Sequence, residues 1–122
     1  MSARAAMQLL QGGRVVIGAA LLVAPAAAGE LWVGSPARSA GGQVALRALG
    51  ARDFVLGLGA MRAARSGDVS SAAAWCAALA ACDAVDGVAT GAVRAELPSG
   101  GLPVMALAFG AAAAGVALAA RL

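Results

Sequence analysis

Four apolar stretches alternate with short polar breaks along the chain. The first has its apolar run from about Val15 to Ala28, extends backward through Met7 to cover about residues 7–28, and ends at the Gly/Ser/Pro-rich segment "GELWVGSPARSAGG", with Trp32 at a depth suited to a membrane interface. The second covers about 43–63 and ends at the polar turn "ARSGDVSS", where Asp68 or Ser70 is placed to cap the next helix. The third covers about 72–93 and is broken by "RAELPSGGLP". The fourth covers about 102–120, with Pro103 suited to a first helical turn. Each is close to the roughly 20 residues that a helix needs to cross a hydrocarbon layer. The pattern predicts one all-α membrane domain over residues 1–122, an antiparallel bundle of four transmembrane helices.

Composition supports lipid as the solvent. Hydrophobic residues make up 61% of the 122-residue chain and charged residues 12%, against about 25% charged in ordinary soluble domains. The mean hydropathy is +0.85. A small folded domain still exposes roughly 40% of its unfolded surface, and this chain has too few polar residues to cover that area. The net charge of +3 is dispersed and aromatics are 3%, so no nucleic-acid surface is expected. The chain has no histidine, which removes His-based triads and the usual zinc and haem ligation. Cys76 and Cys82 lie about 9 Å apart along one helix, too far for a bridge, and read as small buried residues. No metal and no cofactor is expected.

Arginine placement sets the expected orientation. In a four-span arrangement Arg4, Arg14, Arg62, Arg65 and Arg121 share one side, and Arg38 and Arg94 the other. This predicts both termini in the cytoplasm of a bacterial inner membrane. Residues 1–28 also pass as a signal peptide, with an Arg-bearing start and an Ala-x-Ala ending at Ala28; a retained helix is the preferred reading.

The candidate chemistry lies inside the second and third stretches. "RALGARDFVLGLG" places Arg52 beside Asp53, and "ACDAVDGVATGA" places Asp83 and Asp86 three residues apart on one helix face. On insertion scales Arg52 and Asp53 together cost roughly 5–7 kcal/mol at a helix centre, so the second helix requires its neighbours in order to insert. Gly50, Asp53, Gly57 and Ala60 form a stripe of mostly small residues that favours close helix approach. Folding the second and third helices about Gly67 brings residue 52 level with residue 82. The expected pairs are therefore Arg52 with Asp83 and Arg47 with Asp86. Two arginines then face three carboxylates. Asp53, without a depth-matched partner, is the expected surplus acid and the leading candidate for a proton donor or ligand contact. The first and fourth helices are expected to carry no internal charge.

These motifs resemble those of a family of small bacterial integral membrane proteins with four predicted helices. That family has a Gly-x-Arg-Asp element in the second helix, matching Gly50, Arg52 and Asp53, and an Asp-x-x-Asp element in the third, matching Asp83 and Asp86. The resemblance spans nearly the whole chain and implies the fold without implying an activity.

Three functions are compatible with the pattern. The first is a non-enzymatic membrane protein, either an accessory subunit or a binder of a lipophilic small molecule. In it Arg47, Arg52, Asp53, Asp83 and Asp86 hold the helices together, and the chain pairs with itself or joins a larger membrane complex. The second is a membrane-embedded acid–base enzyme of the cyclase or isomerase type, with Asp53, Asp83 or Asp86 moving the proton. The third, a proton-coupled exporter, is disfavoured by the scarcity of aromatics. An opening of several hundred Å³ beside the aspartates separates the last two from a purely structural cluster.

Overall fold

A computed structural model describes all residues 1–122, and every regular element is helical. Five α-helices are present: α1 (Ala3–Val23), α2 (Pro25–Val33), α3 (Ala40–Ser66), α4 (Val69–Ala92) and α5 (Leu102–Ala119). The α1 helix starts where the Ser2 hydroxyl accepts the Ala5 amide, and the α3 helix where Ser39 accepts the Gly42 amide. Asp68 caps α4 by accepting the Ser71 amide. The α3–α4 turn pivots on Gly67, whose φ of 84° is a conformation that glycine adopts without strain. Pro103 sits in the first turn of α5, as its missing N–H permits.

The first apolar stretch departs from expectation. The helix expected over about 7–28 begins earlier, at Ala3, and breaks at Ala24. Pro25 has no N–H to continue the α1 ladder, and it opens α2 at that helix's first position. The segment expected as a loop thus holds the short helix α2 and a 3₁₀ turn over Ser35–Arg38. Arg47 Nε donates to the Leu22 carbonyl at 3.3 Å, covering one of the acceptors released at the break.

Three helical segments are long and apolar enough to cross a membrane: Ala3–Val23, Val69–Ala92 and Pro98–Ala119. Together with the exposed apolar surface, they suggest a membrane protein. The α3 helix, with Arg47, Arg52, Asp53, Arg62 and Arg65 along its length, is not among them. Only 26 of 122 residues are buried, while Leu9, Val16, Val44, Val85, Leu107 and Val116 stay largely exposed. That distribution is costly in water at about 25 cal/mol per Å² of apolar surface and costs nothing in lipid.

The helices are arranged as two antiparallel pairs. In the first, α1 lies along α3 with its backbone in contact at Gly18 and Gly50. A Cβ on Gly18 would stand 2.5 Å from the Phe54 amide nitrogen and 2.7 Å from the Gly50 oxygen. In the second, α4 lies along α5, with the Phe109 ring over Gly87 and Gly115 against Cys76 and Ala80. The pairs meet near the α3–α4 turn in one apolar knot formed by Met7, Ala60, Ala64, Ala72, Cys76, Leu79 and Leu118. Elsewhere α3 and α4 touch sparingly, with the Trp75 ring set against Gly59.

Candidate functional site: a buried Arg/Asp cluster between the helix pairs

The Gly50–Asp53–Gly57–Ala60 stripe is buried, as the sequence implied, but the helix seated on it is α1 and not α4. The buried residues of α1 are Met7, Gln11, Arg14, Gly18 and Leu21, a three- and four-residue spacing that makes one continuous face. With no side chain at Gly18 or Gly50, the backbones approach closely and carry Arg14 to the level of Asp53.

Arg14 is the centre of the site and is only 8% exposed. Its Nη2 donates to Asp83 Oδ2 at 2.5 Å, its Nε donates to Gln11 Oε1 at 2.9 Å, and its Nη1 lies 3.5 Å from Asp53 Oδ1. Arg52 forms a second node. Its Nη1 and Nη2 donate to the two oxygens of Asp86 at 3.3 and 2.7 Å, a forked pairing. Its Nε and Nη2 also donate to Asp53 Oδ1 at 3.2 and 3.1 Å. One arginine from α1 and one from α3 therefore each hold a carboxylate of α4, and Asp53 lies between them.

Several expectations are corrected here. Arg52 pairs with Asp86 and not with Asp83. The antiparallel level is close to that expected, since Gly59 faces Trp75, but the long Arg52 side chain reaches one helical turn further along α4. Asp83 is taken by Arg14. Arg47 does not join the cluster; it is exposed and bound to the Leu22 carbonyl. The first helix does carry an internal charge. Asp53 is not the carboxylate without a partner, because both arginines reach it. The ratio of two guanidiniums to three carboxylates survives, with Arg14 in the place of Arg47. Asp83 is the most buried of the three aspartates, and hydrogen bonds from the protein reach only one of its oxygens.

Arg14 and Gln11 are the members that sequence reasoning missed. Their signal was the regular spacing of residues 7, 11, 14, 18 and 21. The hydropathy boundary at Val15 obscures it, because it leaves Arg14 in the polar flank.

Every fully buried side-chain nitrogen or oxygen has a hydrogen-bond partner. The two best-formed surface depressions lie elsewhere. One, about 320 Å³, is lined by Ala84, Val85, Val88 and Ala89. The other, about 330 Å³, lies among Trp32, Pro36, Leu46 and Leu49. The carboxylates are separated by guanidiniums and do not gather as metal ligands do. Thr90 extends the polar network toward α2: its hydroxyl donates to the Asp86 carbonyl at 2.7 Å and accepts the Trp32 indole N–H at 3.1 Å. Comparison of the chain with known family models, curated proteins and solved structures gives no match.

Proposed function

We propose that this chain is an integral protein of a bacterial cytoplasmic membrane that crosses it four times, with both termini cytoplasmic. In this reading α3 is the fourth span. Its polar residues are tolerated because Arg52 and Asp53 face partners and not lipid. The Arg/Asp cluster acts as a register-fixing bolt between the α1/α3 and α4/α5 pairs. The protein is non-enzymatic, an accessory subunit of a larger membrane assembly or a binder of a lipophilic small molecule. The resemblance carried by Gly50, Arg52, Asp53, Asp83 and Asp86 belongs to the same proposal.

One observation carries the reading: Arg14 and Arg52 are each engaged by a carboxylate of the opposite helix pair, and neither of the two depressions described opens on them. Fixing register is the best-attested use of a buried ionic group. A charge exchange tests it. Arg14→Asp alone should abolish folded yield, and Arg14→Asp combined with Asp83→Arg should recover part of it. No recovery argues against a bolt formed by this pair.

The surplus carboxylate favours acid–base chemistry as the second reading, with Asp83 or Asp53 as the acid. Native mass spectrometry of the detergent-purified full chain separates the two. A lipophilic metabolite that the wild type retains and converts to a product, and that a folded Asp53→Asn variant retains unconverted, supports the enzyme; one retained unchanged by both supports the binder. An adduct-free protein or a retained partner subunit supports the accessory role.

A further inference from the structure

The charges are unevenly distributed over the molecule. Ala3, Ala64, Ala72, Ala119 and Leu122 all pack on the same apolar knot, so the start of α1, the α3–α4 turn and the end of α5 share one end. Arg4 ties them together, its Nη2 donating to the Gly67 carbonyl at 3.0 Å. Around this end stand Arg4, Arg62, Arg65 and Arg121, with Asp68 as the only acidic side chain. Asp68 is occupied in capping α4, and none of the four guanidiniums forms an ion pair. Four arginines against one aspartate leave an excess of three positive charges, which is the entire net charge of +3. The other five arginines and five carboxylates of the chain cancel. At the opposite end Arg38 and Glu30 are joined by hydrogen bonds of 2.5 and 2.9 Å, and Arg94 stands two residues from Glu96.

Helix dipoles favour an arginine near the C-termini of α3 and α5, but they supply no counter-charge for four guanidiniums. Arg62, Arg65 and Arg121 are exposed. Arg62 and Arg65, three residues apart, share one face of the last turns of α3. A guanidinium fork matches two oxygens of a phosphate better than an ammonium does. In a membrane-spanning chain these residues lie at headgroup depth, where the anionic partner present at high local concentration is the phosphodiester of an acidic phospholipid.

We infer that the Arg4/Arg62/Arg65/Arg121 end is a binding rim for anionic phospholipid headgroups, which supply the counter-charges that the protein lacks there. The inference rests on the membrane reading and adds a specific lipid class to it.

The test uses the full chain in detergent, titrated with equal parts phosphatidylcholine and phosphatidylglycerol and read by native mass spectrometry. Phosphatidylglycerol should be retained in preference. The preference should fall about fivefold for each of Arg62→Gln, Arg65→Gln and Arg121→Gln, and on the order of 100-fold when the three are combined. Arg38→Gln, at the balanced end, should leave it unchanged. Added inorganic phosphate should not displace the lipid; displacement would mean a site for free phosphate and would overturn the lipid assignment. Equal retention of both lipids by the wild type, or an unchanged preference in the triple variant, would also overturn it. The three side chains are exposed and make no hydrogen bonds, so an unchanged helical circular dichroism spectrum is expected of each variant. Flotation with pure phosphatidylcholine vesicles keeps the two readings apart. A chain that floats but shows no lipid preference refutes the rim alone, and a chain that does not float refutes the membrane reading and the rim with it.

Discussion

Arg14→Ala is the most informative single substitution. It removes a guanidinium that is 8% exposed and leaves Asp83, 6% exposed, without its cation. The cluster then holds one guanidinium against three carboxylates, and Gln11 loses the donor to its side-chain oxygen. Breaking a buried pair by removing one partner costs about 3–5 kcal/mol, a large share of the roughly 5–15 kcal/mol that stabilises a typical domain. Arg52→Ala should cost less. The Arg52 side chain is 31% exposed and that of its main partner Asp86 20%, and Asp53 keeps Arg14. Solvent screening places that loss between the exposed and buried limits, at roughly 1–2 kcal/mol. Arg121→Ala, at an exposed position, should fall within about 0.5 kcal/mol of wild type. Reversible unfolding in mixed detergent micelles, followed by helical circular dichroism, ranks the three. A double substitution isolates the pair itself. Arg14→Met with Asp83→Leu removes both charges together, and replacing a buried ion pair by apolar residues is often neutral or better. The double variant should therefore be more stable than Arg14→Ala. If Arg14→Ala is no worse than Arg52→Ala, or the double variant is no better than the single, Arg14 is not the buried centre of the cluster.

Topology reporters fused after Arg65 and after Leu122 should both report cytoplasm, and one near Arg38 the outside; the reverse pattern refutes the proposed orientation. Gly18→Ala forces a methyl group against the backbone of Phe54 and Gly50 and should destabilise by about 1–3 kcal/mol. Gly12→Ala, with open space around it, should be neutral or stabilise by up to about 1 kcal/mol, and equal effects at the two sites in the same unfolding assay would contradict the α1–α3 contact. Glu30 titrates below the ordinary glutamate range because Arg38 hydrogen-bonds its carboxylate and adds a Coulombic attraction. Its contribution to stability is present above the ordinary glutamate value and lost as pH falls through the lower folded value. The melting temperature of wild type relative to Glu30→Gln should thus narrow on acidification, and a constant difference would rule out that pairing.

Much of the architecture could be read from hydropathy and punctuation. Gly67 with Asp68 marked the turn before α4, and Pro103 marked the start of α5, because both depend on local chemistry. The acidic partners could also be read, since Asp53, Asp83 and Asp86 stand out in an apolar run. The choice of arginine could not. Arg14 lies beside a long apolar run and reads as its flank, whereas its role depends on Gly18 and Gly50 letting α1 and α3 touch. That contact between residues distant in sequence leaves only the faint trace of a three- and four-residue spacing. The Arg52 partner escapes the sequence for a different reason: depth matching compares Cα levels, and a guanidinium reaches a full turn from its own. The helix α2 was hidden because Pro25 interrupts a backbone ladder without interrupting the hydropathy.

The separation of Arg14 and Asp83 along the chain, 69 residues, sets an order on biogenesis. Synthesis delivers α1 and α3 first, so Arg14 and Arg52 are made when Asp53 is the only cluster acid present. Neutralising both guanidiniums must wait for α4. A nascent chain halted before Asp83 therefore carries an unpaired guanidinium on the face where α1 and α3 meet. Completion of α4 supplies Asp83 and Asp86, and with them the ion pairs that join the two helix pairs.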